Sequence, residues 1–340
     1  MGYLHKRQLR WPAKEIVARY LAGLSMGSIK MIKVSVQIIA KNDARTESIQ
    51  LKAEEFHCLA QQRAKLLKIM ELIDIYDQVI DSHVETKSVF YKLSVQSAIE
   101  KTQGQAFVQQ TRNQLNRSMF NTLNLGKLYL DKHFYDKRSF IKKVTEDEKA
   151  HEEVKILREK VFNENTEYML ACELRTYSQH ASIMTRTVHM GMRRDHENKI
   201  LTAHVSASIS KHELCSKIKV SEDKLSRIPD KIDLQKCLDG YIDGISEMHI
   251  LNLKLVRDVV DTLIKQLESF AQSLAENIGV NISDSYFIQI FRLPDDDEKE
   301  PDTSEASISI NSQWLDLIRQ RQDKHSHATG FRHTKYESFF

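Results

Sequence analysis

Hydrophobic positions along most of this chain recur every three or four residues, the spacing of an amphipathic helix, and alternate in only a few short runs. Phe56, Leu59, Leu66, Leu67, Met70 and Ile73 predict a helix over Ala53 to Asp81. Val89, Phe90, Leu93, Ala98 and Ile99 predict a second over Thr86 to Gln103, weakly interrupted at Gly104. Val108, Leu115, Met119, Leu123, Gly126 and Leu130 then form one side of a helix from Ala106 to His133. Gly126 there either permits a close helix crossing or has no special role. Val154, Leu157, Val161, Phe162, Tyr168, Met169 and Ala171 supply the buried side of one helix or two between Glu146 and Tyr177. Ser210 to Lys217 reads as a short helix, and Ile242, Ile245, Met248, Leu251, Leu255, Val259, Leu263 and Leu267 keep the period through a long one over Asp233 to Ser273.

Alternation marks the strands. Met31 to Ala40 is rich in Val and Ile, Asn42-Asp43 is a turn signal, and Glu47 to Leu51 can return as the second arm of a hairpin. Ser182 to Met190 and Leu201 to Ser210 are β-rich on either side of a loop at Arg193 to Asn198, and Tyr286 to Arg292 is a short strand-like run. Pro12 suits a first helical turn, which predicts a helix over Ala13 to Met26. The next proline is Pro229, and so long a stretch without one, with few glycines, favours long helices. Asp295 to Asp302 is acidic and contains Pro301, so it reads as a linker to a flexible, polar-rich tail. The expected organisation is an N-terminal helix and hairpin over 1–52, a helical body over 53–293 with a β insertion near 182–210, and linker plus tail over 294–340. No internal repeat is visible.

With 340 residues the chain can bury a sizeable core. Its 50 basic and 47 acidic residues give a net charge of +3, too even to argue nucleic-acid binding from charge alone. Cys58, Cys172, Cys215 and Cys237 form no CxxC pair, so neither a disulfide framework nor a zinc site is expected, and a reducing compartment fits. The N-terminal residues hold no long apolar core and the run Met31 to Ala40 is too short to span a bilayer, so a cytoplasmic protein without a signal peptide is expected.

One segment offers compact chemistry, Leu174-Arg175-Thr176-Tyr177-Ser178-Gln179-His180. Arg175 stays protonated and can grip a phosphate bidentately; His180 can move a proton near neutrality. Five residues along an α-helix rotate by roughly 500°, which leaves the two side chains about 140° apart. A shared site therefore needs the helix to loosen near Ser178, or two chains to contribute. The structural alternative is that Arg175 pairs with Glu173 or Asp131 and that His180 simply ends a helix.

A Leu-Arg-x-Tyr-x-Gln-His segment near the end of a long helix, in an all-helical context, resembles the HEPN superfamily (higher eukaryotes and prokaryotes nucleotide-binding). The likeness covers Ala106 to His189, and is nearest to uncharacterised bacterial HEPN-like proteins. It implies a mainly α, HEPN-like helical bundle, here with a small N-terminal β-hairpin and a short β insertion after the motif. It also implies a homodimer in which two motifs face one another, with Arg175 and His180 as the catalytic pair of a metal-independent endoribonuclease. His180 would take the ribose 2′-hydroxyl proton or protonate the leaving oxygen, and Arg175 would stabilise phosphoryl charge. Thr176 stands where the family often has Asn, Asp or His, and Tyr177 is placed to stack on a base or to pack one side of the helix end. Both are candidate substrate-binding residues. RNA and an antitoxin or defence-system protein are the expected partners, with no membrane, no cofactor and no metal. The competing class is a non-catalytic helical module that binds a partner protein or nucleotide.

Other clusters point less clearly to chemistry. His325, His327 and His333 with Asp323 fit no metal motif, and Glu148 with His151 or Glu54 with His57 read as parts of solvated faces. No Walker loop, dinucleotide-binding glycine pattern or Gly-x-Ser-x-Gly elbow is present.

Overall fold

The computed structural model describes residues 30–41, 43–99, 104–134, 139–195, 200–282, 285–293 and 307–326. The expected helix at Ala13 to Met26, the acidic stretch Asp295 to Asp302, His327 and His333 lie outside these residues. The chain is mainly helical with an N-terminal antiparallel strand pair. It divides into two compact units that are discontinuous in sequence, 1–70 with 257–323 and 71–256 with 324–340. This replaces the expected consecutive blocks. Two helices longer than forty residues each lend one end to each unit.

In the first unit, β1 (Met31–Ala40) and β2 (Asp43–Lys52) form the expected hairpin, and β6 (Tyr286–Arg292) pairs with the other side of β1. A fourth strand, β7 (Ser307–Asn311), completes an antiparallel sheet of order β2-β1-β6-β7. The register sets Ile38, Ile288 and Ile310 in one cross-strand row and Val36, Ile290 and Ile308 in the next. All six are buried. Such rows of β-branched side chains pin the register, because a slip of one residue would turn every one of them to solvent. The β2 edge is charged and mostly exposed, as a protected edge strand should be.

Residues 53–70 of α1 (Ala53–Ile99), residues 257–278 of α8 (Leu234–Ile278) and residues 312–323 of α9 (Ser312–Ser326) bury their apolar sides in the same unit. Arg63 Nε donates to the carbonyl of Ser309 at 3.1 Å, and Arg319 clasps both carboxylate oxygens of Glu268 at 2.7 and 2.8 Å. The segment expected as tail is thus corrected over 307–326. It is a strand and a helix, with Leu315 and Ile318 fully buried. The buried stripe of α9 is Leu315, Ile318, Gln322 and His325. Two of the four are polar, which hides the period from a hydrophobic reading.

The second unit is a helical bundle. Residues 71–99 of α1 are joined by α2 (Gln105–His133), α3 (Phe140–Thr145), α4 (Glu148–Glu164), α5 (Thr166–His180) and residues 234–256 of α8. A three-stranded sheet of order β3-β4-β5 is built from β3 (Thr187–Asp195), β4 (Ile200–Ser210) and β5 (Lys231–Asp233), with α6 (Lys211–Lys217) and α7 (Glu222–Leu225) between β4 and β5. Two expected helices prove to be one, since α1 runs unbroken through Asp81 to Thr86. Polar residues at the junction of the two expected spans face inward. Ser82 and Thr86 each meet the Thr122 hydroxyl at 3.0 Å, and buried His83 lies 3.3 Å from Asp239. Gly126 does permit a close crossing. A Cβ there would stand 2.4 Å from the Tyr241 ring and 2.7 Å from Ile245 Cδ1. Among the described residues no helix is long and apolar enough to cross a membrane.

Candidate functional site

Helix α5 begins at a built cap. Asn165 Oδ1 accepts the Tyr168 amide at 2.9 Å while Nδ2 donates to the carbonyl of Gly240 at 3.0 Å. Tyr168, Met169, Leu170, Ala171, Leu174 and Tyr177 form the buried side, and the Tyr168 ring stacks on Tyr241, centroids 5.4 Å apart. The helix stays helical to its last residue, His180, where the Ala181 amide closes the final turn on the Tyr177 carbonyl at 2.9 Å. It does not loosen near Ser178. Arg175 and His180 therefore leave the axis about 140° apart.

Their surroundings differ accordingly. Arg175 is half-buried, its guanidinium acts electrostatically on buried Tyr241, and its Nε has no hydrogen-bond partner among the described residues. Neither carboxylate suggested as its partner holds it. Glu173 pairs with Lys224 at 2.7 Å, and Asp131 pairs with Lys127. Thr176 is exposed and its hydroxyl donates to the Cys172 carbonyl at 3.2 Å. Tyr177 is 0% exposed, and its hydroxyl donates to Glu213, itself bridged to Arg186 at 2.9 Å. Its ring offers no free face to a base; packing the helix end is what it does.

His180 is exposed and lines an open groove of about 600 Å³. Asn113, Asn116, Arg117 and Phe120 of α2 form one wall, and Ser178 to Met184 form the other. Spacings of three, one and three residues put those α2 side chains on a single helical face. The floor is tied down. Gln179 donates to Asn124 at 2.9 Å, Asn116 Oδ1 accepts the Thr185 amide at 3.3 Å, and Arg112 donates to the Thr185 carbonyl at 3.2 Å. Arg117 is exposed and makes no ion pair or hydrogen bond within the described residues. Among the described residues the lining carries one arginine, one histidine, three side-chain amides and no carboxylate, with Phe120 and Ile183 half-exposed at the rim. Such a surface favours anions, and an aromatic edge beside a guanidinium suits a nucleobase next to a phosphate.

The structure thus places His180 beside Arg117, while Arg175 faces elsewhere on the helix and is not part of the groove. Arg117 had a sequence signal in Asn-x-x-Asn-Arg-x-x-Phe, four residues on one face of a long helix, but its nearness to the end of α5 is tertiary. The metal alternatives are otherwise engaged. His151 meets the Ser139 hydroxyl at 2.9 Å, Glu148 pairs with Lys142, and His57 meets Gln61 at 2.8 Å. Among the described residues no three His, Cys, Asp or Glu side chains gather as a metal site. Compared with family models, curated proteins and solved structures, the chain gives no match.

Proposed function

We propose that the groove at the end of α5 binds single-stranded RNA, and that the chain works as a cytoplasmic, HEPN-like nucleotide-binding module. One observation carries this reading. The groove joins Arg117, His180, side-chain amides and an exposed aromatic ring without a single carboxylate among the described residues. Arg117 would hold a phosphate, the Phe120 ring would pack against a base, and the amides would meet base edges or ribose hydroxyls.

The metal-independent endoribonuclease of a toxin or antiphage system is the second reading. It is favoured by the exposure of His180 in the same groove as an arginine, which puts a proton-transfer group and a charge stabiliser on one surface. Arg117 then fills the role first assigned to Arg175. A part for Arg175 itself would require a homodimer, since one continuous helix keeps it away from His180. One experiment separates the two readings. End-labelled single-stranded RNAs are incubated with the protein in EDTA, with retention and strand ends followed together. Binding without cutting is expected of the module. Cutting to 2′,3′-cyclic phosphate ends that is lost in His180→Ala would establish the nuclease. Absence of both binding and cutting would remove RNA as the ligand.

A further inference from the structure

A chain of polar side chains, none of which lines the groove, runs through the second unit. Tyr129 Oη lies 2.9 Å from His249 Nδ1, His249 Nε2 lies 2.9 Å from His325 Nδ1, and His325 Nε2 lies 3.1 Å from Asp77 Oδ1. Tyr129 and His249 are 0% exposed and His325 is 3% exposed. The Tyr76 ring covers His249 face to face, centroids 3.7 Å apart and 5° from parallel. Four elements meet here. α1 brings Tyr76 and Asp77, α2 brings Tyr129 and His133, α8 brings Asp243 and His249, and the last turn of α9 brings His325. Glu71, Lys132 and Lys143 act on His133 from outside.

The direction of every bond follows from Asp77. A carboxylate only accepts, so His325 Nε2 carries hydrogen and its Nδ1 accepts. His249 Nε2–H must then donate to it, and His249 Nδ1 accepts the Tyr129 hydroxyl. Both imidazoles are satisfied as neutral rings. A first added proton settles on His325 beside Asp77 only if the whole chain reverses, with His249 shifting its hydrogen to Nδ1 and Tyr129 turning its own away. A second proton sets two N–H donors face to face where water cannot intervene, which costs the full desolvation of both groups.

We propose that this chain is a proton-operated latch on the last turn of α9, which seats that turn in the second unit while the imidazoles are neutral and releases it when they are doubly protonated. Burial, and the other histidines beside it, push His249 well below the ordinary imidazole range, in keeping with a latch closed near neutrality.

Hydrogen exchange on the full chain between pH 7.5 and 5 tests this, with each protection factor corrected for intrinsic rate. The last-turn amides 323–326 should lose protection about tenfold per pH unit for each proton taken up on opening, more steeply than peptides from α2, which decline only as His133 destabilises the unit. Amides of 312–319 should keep theirs. His325→Phe, which fills the site without titrating, should remove that pH dependence. If this variant does not fold, the ring signals of the native chain decide instead: the His249 ring should stay neutral wherever the last turn is protected, and a protonated His249 in the closed chain would overturn the latch. Constant protection of 323–326 across the range, or a loss that α2 shares equally, would overturn the latch.

Discussion

Asn165 and Gly240 set where the groove stands. The Asn165 amide donates to the Gly240 carbonyl at 3.0 Å while its oxygen starts α5, and the 15-residue helix that follows ends on His180. The glycine is required by the approach itself, since a Cβ at 240 would lie 2.3 Å from Glu167 Cβ. Asn165→Ala removes the cap and the side-chain bond to the Gly240 carbonyl, which keeps its partner within α8. Losses of about 1 kcal/mol for the cap and about 0.5–1 for the second hydrogen bond should add to roughly 1.5–2 kcal/mol. Urea denaturation measures this, and a loss below about 0.5 kcal/mol would show that the contact does not hold α5.

Gly126→Ala sets two effects against each other. Alanine should gain about 1 kcal/mol of helix propensity, but overpacking a fixed core costs about 1–3 kcal/mol. With Tyr241 and Ile245 both inside 3 Å of the new methyl, the clash should win. The expected outcome is a lowered melting temperature, most of it recovered when Tyr241 is shortened to Leu in the same chain. A more stable single variant would contradict the crossing described.

The pH dependence of stability has a definite sign. Burial lowers His133 to about 4, against an unfolded value of 6.5. Above pH 6.5 neither state holds the proton and its contribution is at its maximum. As pH falls from 6.5 toward 4 the unfolded chain takes up a proton that the folded chain refuses. Stability should drop by roughly 3 kcal/mol across that window. Denaturation midpoints at pH 7 and pH 4.5 should therefore differ less in His133→Phe than in the native chain. Equal differences would remove His133 as a source of acid sensitivity.

Leu315→Ala should cost about 2–5 kcal/mol, because the side chain is fully buried in the first unit. A surface-like change below about 0.5 kcal/mol would return 307–326 to the status of a tail.

The elements that were legible in the sequence are those whose buried face is apolar throughout. Val34, Val36 and Ile38 alternate plainly, and the apolar stripe of α8 keeps its period over many turns. Where the inward face is polar the pattern fails. Ser82 and Thr86 meet Thr122, and His325 meets His249, by hydrogen bonding, so no hydrophobic period marks the junction of the two expected helices or the end of α9. The candidate site divides the same way. The Arg175–His180 spacing and its 140° rotation could be read directly, as could the chemistry of His180. That the end of α5 lies against the Arg117 face of α2 could not, since that depends on Gln179 meeting Asn124 and Asn116 meeting Thr185 across long sequence separations.

The central claim is that the groove, and not the Arg175 face of α5, meets RNA. Fluorescence anisotropy of a labelled single-stranded RNA, titrated with the native chain, Arg117→Ala, His180→Ala and Arg175→Ala at several salt concentrations, tests it most directly. Arg117→Ala should weaken binding and reduce the salt slope by about one, as loss of a phosphate contact does. His180→Ala should also weaken it, while Arg175→Ala, provided it folds, should bind as the native chain does. Binding that Arg117→Ala leaves intact and Arg175→Ala abolishes would contradict the account.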